Sequence, residues 1–239
     1  MPNPDLSIVI PAHNEAESIE LCVRETAGVL DHLQRPYEIL VVDDGSQDAT
    51  FEILRKLRSD IPALRALRFK ERRGQTAAMD AGFRNAAGEI VVTLDADLQN
   101  NPADIPRLLD ALPGWDAVCG VRVKRNDSFV RLISSRIANW VRNRLSDETI
   151  QDTGCTLKAY RRECLLKLKL FDGMHRFLPT LLKMEGCRVT ELPVGHRPRL
   201  RGKAKYNIRN RVFKSFRDLL AVRWMKHRWI RYEIEEQIK

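Results

Sequence analysis

Two carboxylates one residue apart close a run of β-forming residues at Val91-Val92-Thr93-Leu94-Asp95-Ala96-Asp97-Leu98-Gln99. Strand side chains alternate between faces. A strand extended to its end therefore turns Asp95 and Asp97 the same way, with Gln99 next on that side. Two carboxylates and an amide oxygen at the carboxyl edge of a strand suit a hard divalent cation such as Mg²⁺ or Mn²⁺, which keeps waters and bridges to phosphate oxygens. For an isolated Asp-x-Asp the plainer reading is a polar turn after a buried strand. Here two like charges held at the end of such a strand need a cation or shifted pKa values.

The elements that must position these groups alternate. Leu6-Ser7-Ile8-Val9-Ile10 is a short β-rich run closed by Pro11, and Asn14 with Glu17 predicts a capping box opening a helix. Residues 37–42 form a second apolar run that ends at Asp43-Asp44-Gly45-Ser46, followed by a helix from about Asp48 to Leu57. Leu64 to Phe69 is a third strand, Gly74 precedes an Ala-rich helix, and the Asp95 run is the fourth strand. Asn101-Pro102 is an N-cap and first-turn proline for a helix through Leu112, and Ala117 to Val121 is a fifth strand. The strands are apolar throughout, as strands of a parallel sheet covered on both faces should be. In such sheets ligands bind beyond the carboxyl ends of the strands. Three of those ends carry His13-Asn14-Glu15, Asp43-Asp44 and Asp95/Asp97. The first strand–helix turn lacks Gly-x-Gly-x-x-Gly, and no Walker lysine loop is present, so a nucleotide is held in neither of those ways.

Beyond Val121, residues 128–144 read as an arginine-bearing helix, Asp152-Thr153-Gly154-Cys155 as a turn, stretches from about Arg162 and about Met174 as helices, and Val189 to Val194 as a last strand. No repeat or low-complexity linker interrupts the chain. The reading is one domain over residues 1–206 with a basic amphipathic helix over 207–239.

The chain of 239 residues carries 41 Lys and Arg against 32 Asp and Glu, a formal net charge of +9. From Arg197 to Lys239 there are 14 basic residues against 4 acidic ones, so the last stretch holds the whole excess. A basic tail implies an anionic partner such as lipid headgroups or phosphates. In this tail Val212, Phe213, Phe216, Leu219 and Leu220 recur at helical intervals among Lys214, Arg217, Arg223, Lys226, Arg228 and Arg231, with Trp224 and Trp229 beyond. Basic and aromatic residues on one amphipathic helix read as peripheral membrane contact. The alternatives are a helix packed on the domain with a solvated basic face, a second subunit of a homo-oligomer, or a membrane-protein partner. No nucleic-acid module is visible, so nucleic acid is set aside as a partner. Five scattered cysteines without Cys-x-x-Cys spacing read as free thiols in a reducing compartment. No leader segment is read, and no apolar run approaches the ~18–20 residues that span a bilayer. The expected place is the cytoplasm, at the cytosolic face of a membrane.

At this point the chain resembles the family-2 glycosyltransferases. The segments Ile10-Pro11-Ala12-His13-Asn14-Glu15, Val42-Asp43-Asp44-Gly45-Ser46, Gly74-Gln75, Asp95-Ala96-Asp97-Leu98-Gln99 and Asp152-Thr153-Gly154 stand in the family's order. Asp-Ala-Asp-Leu-Gln followed by Pro102, and Arg201-Gly202-x-x-Lys205, are similar to the branch that glycosylates polyprenyl phosphates, the dolichyl-phosphate mannose synthases and undecaprenyl-phosphate sugar transferases.

The resemblance implies a GT-A type, Rossmann-like α/β fold: a mostly parallel sheet with helices on both faces and a nucleotide-diphospho-sugar lying over its carboxyl edge. It implies that Pro11, His13 and Glu15 line the base and ribose pocket, that Val42 and Asp44 contact the base, and that Ala96 and Arg122 join the donor site. Asp95, Asp97 and Gln99 would hold Mg²⁺ or Mn²⁺ and the diphosphate, and Arg201 would meet the donor. Arg131 and Lys205 would meet the acceptor phosphate, and Asp97 and Asp152 would be the catalytic carboxylates. His13 stands where many relatives have Tyr, and the C-terminal membrane spans of several bacterial relatives have no counterpart here.

The implied reaction moves a hexose, from a donor of the GDP-mannose or UDP-glucose type, to dolichyl or undecaprenyl phosphate with inversion. A cation and arginines stabilise the charge developing on the leaving nucleoside diphosphate. A phosphate acceptor is already anionic, so Asp152 need only orient it or its counter-cation. The rival is a family-2 enzyme acting on a sugar hydroxyl in polysaccharide or glycolipid synthesis, which needs a true base. A nucleotide-sugar sensor without catalysis is the reading from another class, and the intact Asp95/Asp97/Gln99 set speaks against it.

Overall fold

The computed structural model describes residues 4–122, 150–198, 208–230 and 235–236. The elements run β1 (Leu6–Ala12), α1 (Ile19–Asp31), β2 (Tyr37–Asp43), α2 (Thr50–Asp60), β3 (Leu64–Arg68), α3 (Gln75–Asn85), β4 (Ile90–Thr93), a 3-10 turn (Pro102–Asp104), α4 (Ile105–Asp110) and β5 (Ala117–Arg122). After the undescribed stretch come β6 (Lys158–Arg161), α5 (Arg162–Leu166), a second 3-10 turn (Met174–Phe177), α6 (Leu178–Met184), β7 (Val189–Val194) and α7 (Ile208–His227). The helix expected over residues 128–144 lies outside the described residues.

The strands form one sheet in the order β3-β2-β1-β4-β6-β5-β7. Every pairing is parallel except those of β6, which runs antiparallel to β4 and β5. The period of two in a strand explains why β1 is buried along its whole length. Leu6, Ile8 and Ile10 pack on one face with Ile19 and Val23 of α1 and Leu54 of α2. Val9 points to the other face, with Met79 and Phe83 of α3 and Leu178 and Leu182 of α6. The mostly parallel α/β sheet covered on both faces is therefore as expected.

Four local expectations are corrected. The first helix starts at Ile19 rather than Asn14, because Asn14 sits at φ 52° and its side chain is engaged across the turn. Ser18 stands at the N-cap, and no side-chain capping bond forms there. Strand β4 ends at Thr93, so Asp95 and Asp97 belong to a turn in which Leu98 takes φ 64°. Strand β6 was not expected: it is four residues long, and Lys158 lies inward on it, which hides its apolar character. The apolar stripe assigned to the tail divides. Leu219 and Val222 of α7 join the core beneath α3 and α6, whereas Phe216, Leu220 and Trp224 face outward. The mean directions of the two groups differ by about a third of a turn at 3.6 residues per turn.

Candidate functional site

The carboxyl ends of β1 and β2 carry two turns that lock together. Asp44 donates its N–H to the Ala12 carbonyl at 2.8 Å, and His13 Nδ1 hydrogen-bonds the Asp44 carbonyl at 2.7 Å. Asn14 donates its N–H to Ser46 Oγ at 2.8 Å, and its side-chain oxygen accepts from Gln47 N at 2.8 Å. Glu15 donates its N–H to Thr50 Oγ1 at 2.8 Å and accepts from Ser18 Oγ at 3.0 Å. Gly45 makes the corner at φ +63°, where an added Cβ would come 2.7 Å from Arg72 N. The Asp44 carboxylate is nearly enclosed and accepts from Arg73 N at 2.6 Å and Gly74 N at 2.9 Å. An open cleft of about 780 Å³ lies beside these turns, lined by His13, Asn14, Gly45, Ser46, Arg68 and Arg72 among others.

Pro11 and Val42 pair across the same two strands and are buried. The Val42 side chain packs with Leu40 and Ala78 under α3, and Ala96 is likewise part of the core. These three residues are enclosed, whereas His13 lines the cleft and Glu15 and Asp44 brace the turns beside it.

Asp95 is the centre of the second cluster. One carboxylate oxygen accepts from Gln75 Nε2 at 3.2 Å, and the other accepts from Thr156 Oγ1. Its N–H is held by the Asn100 side chain at 3.1 Å, which closes the turn. Asp97 accepts from Gln99 N at 3.1 Å, and the Gln99 carbonyl accepts from Arg197 N at 2.8 Å. Enclosure of its carboxylate, and next the charge of Asp97, push Asp95 up to about 6; Thr156, Arg122 and Lys158 act in the opposite direction. Two carboxylates so placed are short of positive charge, which is the fit that a hard divalent cation requires. Among the described residues no third His, Cys, Asp or Glu joins them as a metal group. A cation here would complete its shell with waters or ligand oxygens. Thiols contribute nothing to it: Cys22, whose Sγ lies 3.8 Å from the Asp95 carbonyl, is pushed up to about 12 by burial and then by Asp97.

The third cluster joins β5 to the turn before β6. Arg122 donates from Nε to Asp152 Oδ2 at 2.6 Å and from Nη2 to Asp152 Oδ1 at 2.8 Å. Their side chains are 16% and 12% exposed. Asp152 also accepts from Gly154 N at 3.1 Å, and Glu191 of β7 accepts from Gln151 N at 2.8 Å, so the turn is held from both sides. Burial works against the Arg122 charge, but the hydrogen bond and charge of Asp152 outweigh it and raise its pKa. Lys158, almost fully buried, donates to the Thr153 carbonyl at 3.4 Å and puts a second cation behind Asp95.

Sequence reasoning named Asp95, Asp97, Arg122 and Asp152 but gave no task to Gln75, Thr156, Asn100 or Lys158. Gln75 could be found as the first residue after Gly74 at a helix start. Thr156 carries no local signal, since Asp95 lies 61 positions away, whereas Asn100 and Lys158 bond within five residues, to the Asp95 N–H and the Thr153 carbonyl. Arg131, Arg201 and Lys205 lie outside the described residues.

The profile of glycosyl transferase family 2 matches residues 7–168. A dodecaprenyl-phosphate galacturonate synthase of Rhizobium johnstonii is 38% identical over 224 residues, covering 91% of this chain and 66% of that protein. An undecaprenyl-phosphate 4-deoxy-4-formamido-L-arabinose transferase of Salmonella paratyphi A is 38% identical over 222 residues, covering 92% of this chain and 68% of that protein. The chain thus spans about two thirds of the length of these curated relatives. Among solved structures, a mannosyltransferase of Pyrobaculum calidifontis, determined with GDP-Man and Mn²⁺, superposes with a TM-score of 0.62 at 24% identity, covering 94% of this chain and 70% of that one. A glucosyl-3-phosphoglycerate synthase of Mycobacterium tuberculosis, determined with Mn²⁺, UDP and phosphoglyceric acid, gives 0.68 at 21% identity over 93% and 78%.

Proposed function

The chain belongs to glycosyl transferase family 2, and from that membership we propose that it is an inverting, metal-dependent hexosyltransferase that moves a sugar from a nucleotide-diphospho-sugar to a polyprenyl phosphate. Residues 1–206 form the catalytic part. The donor base and ribose lie in the cleft beside His13, Glu15 and Asp44, over the backbone of Pro11 and Val42. Asp95 and Asp97 hold Mg²⁺ or Mn²⁺, with Gln99 and Ala96 in the same turn. When bound, such a cation supplies positive charge to the leaving diphosphate. Gln75 and Thr156 fix the two oxygens of Asp95. Arg122 and Arg201 are assigned to the donor diphosphate, and Arg131 and Lys205 to the acceptor phosphate.

In the step itself an acceptor phosphate oxygen forms the new bond to the anomeric carbon. The bond to the donor's β-phosphate oxygen breaks, and the nucleoside diphosphate leaves with the electron pair. No proton has to be removed. The observation that carries this choice of acceptor is the two-point pairing of Asp152 with Arg122. A carboxylate spent on a guanidinium is a poor base for a sugar hydroxyl, but it is a suitable means of orienting the cation that meets a phosphate. A hydroxyl acceptor would need a base, and Asp152 is held by Arg122 instead.

Peripheral contact with the cytosolic face of a membrane, through α7, brings the enzyme to its lipid acceptor. No described helix is long and apolar enough to cross a membrane. The test is a transfer assay with labelled GDP-mannose, UDP-glucose and UDP-N-acetylglucosamine, each offered with polyprenyl phosphate and Mg²⁺ or Mn²⁺. Metal-dependent label in the lipid phase, lost in Asp97→Asn, supports the reading and identifies the sugar. Donor binding without lipid label from any donor moves the function to a hydroxyl acceptor or a sensor.

A further inference from the structure

We infer that the segment 166–171, together with the outward face of α7, forms one docking surface for an anionic lipid bilayer. The inference rests on the peripheral-membrane reading above and adds a second contact element to it. Large apolar side chains exposed on the described surface concentrate in these two places: Leu166 and Phe171 on the segment, and Phe216, Leu220 and Trp224 on the helix. Phe171 is 52% exposed and Trp224 65%. The three helix residues follow at intervals of four and so share one face.

The helix is fastened to the turn that follows the segment. Asp218 of α7 turns inward over Gly173, which has φ +89°, and an added Cβ there would come 2.2 Å from Asp218 Oδ2. Arg176 Nη1 stands 3.9 Å from the same oxygen. Leu168 drops into the core cluster that also holds Leu219 and Val222, which leaves Leu166, Lys167, Lys169 and Phe171 outside.

Charge selects the occupant. Lys167 and Lys169 alternate with the apolar residues of the segment, and Arg217, Arg223, Lys226 and Arg228 follow along the helix. Against them stand exposed Glu163 and Asp172, while Asp218 is buried. Protein–protein interface cores are poor in lysine. A headgroup layer instead takes lysine and arginine heads while the apolar side chains reach the acyl boundary.

This surface is also wired to the candidate metal site. Gly173 donates its N–H to Thr76 Oγ1 at 3.0 Å, His175 Nδ1 shares a 2.7 Å hydrogen bond with the same oxygen, and the neighbouring Gln75 holds Asp95. A lipid acceptor entering at the docked face would arrive beside the residues that fix Asp95.

The experiment is co-sedimentation of the full chain with phosphatidylcholine vesicles, with and without phosphatidylglycerol. Two surface variants run beside the wild type, K167E/K169E with F171S on the segment and F216S/L220S/W224S on the helix. K167E/K169E alone serves as a variant that removes no apolar contact. At about 1 kcal/mol per docked basic residue, losing two lysines weakens binding to anionic vesicles by roughly tenfold or more. Donor binding and transfer to detergent-solubilised acceptor should remain at wild-type level. Segment variants that bind as the wild type does, while the helix variant does not, overturn the proposal and leave α7 as the sole contact. Wild type that ignores vesicles yet transfers sugar in detergent overturns the docking surface but not the enzymatic reading. Vesicle binding lost in both variants, while wild type and variants bind donor alike and none transfers sugar in detergent, supports the surface and refutes the enzymatic reading.

Discussion

Arg122 grips Asp152 at two points, 2.6 and 2.8 Å, and the same guanidinium lends its charge to Asp95 across the site. One cation therefore links the turn on the acceptor side to the carboxylate pair on the donor side. Asp152→Asn keeps the shape and removes the charge. A general base supplies ~10²–10⁴-fold in rate; for a counter-ion the loss in kcat should fall below that range and the pH–rate profile should keep its acidic limb. Steady-state kinetics across pH decide this, and disappearance of the acidic limb in the variant would assign Asp152 as the base.

Asp95 sets a pH signature of the metal-free protein. The unfolded chain ionises this group near the ordinary aspartate value of about 3.9, whereas the folded chain holds its proton up to about 6. The folded state binds more protons between those values, so the contribution to stability is full below the window and is lost as pH rises through it. The melting temperature of the wild type minus that of Asp95→Asn should decline from about pH 4 to about pH 6, and added Mn²⁺ should reverse the decline. A flat difference would contradict the enclosure of Asp95 and, next to it, the like charge of Asp97.

Gln75 and Thr156 hold the two oxygens of Asp95. Partners behind a metal ligand typically contribute ~10–100-fold in affinity. Gln75→Ala and Thr156→Val should each weaken Mn²⁺ binding in the presence of donor by about tenfold, with melting temperatures close to wild type. Calorimetric titration measures it, and unchanged affinity in both would remove them from the site.

How much of the fold and site is legible in the sequence follows from distance along the chain. The carboxyl ends of β1, β2 and β4 were visible because each is a contiguous apolar run followed by polar residues. Gln75 was half visible, at a Gly-to-helix junction. Thr156 was not, because its partner Asp95 lies 61 positions away. Strand β6 was hidden for a related reason: Lys158 points inward toward the acidic cluster, so four residues that complete the sheet do not read as apolar. The start of α1 was misplaced because Asn14 bonds across to the β2 turn rather than capping its own helix, a choice made by tertiary structure. Strand continuation through Asp95 and Asp97 fails because β4 ends at Thr93 and the chain turns, with Leu98 in a left-handed conformation that no local pattern announces.

The thiols give an independent check on the packing. All five cysteines are free and buried. Burial pushes Cys22 and Cys119 up to about 12 and Cys155 up to about 11, so little thiolate exists near neutral pH. Alkylation by iodoacetamide at mildly alkaline pH should label none of these three in the native protein and all five cysteines in denaturant. Native labelling of Cys22 would mean that the α1 face of the Asp95 turn is open.

The proposed acceptor, a polyprenyl phosphate, brings its own negative charge. The most direct measurement compares two acceptors of equal chain length, a polyprenyl phosphate and the corresponding polyprenol, with the same labelled donor and metal. Label should appear in the lipid phase with the phosphate alone, released again by mild acid, and none with the alcohol. Equal transfer to the alcohol, or transfer only to a sugar hydroxyl, would contradict it and would require a base that the Arg122–Asp152 pair does not supply.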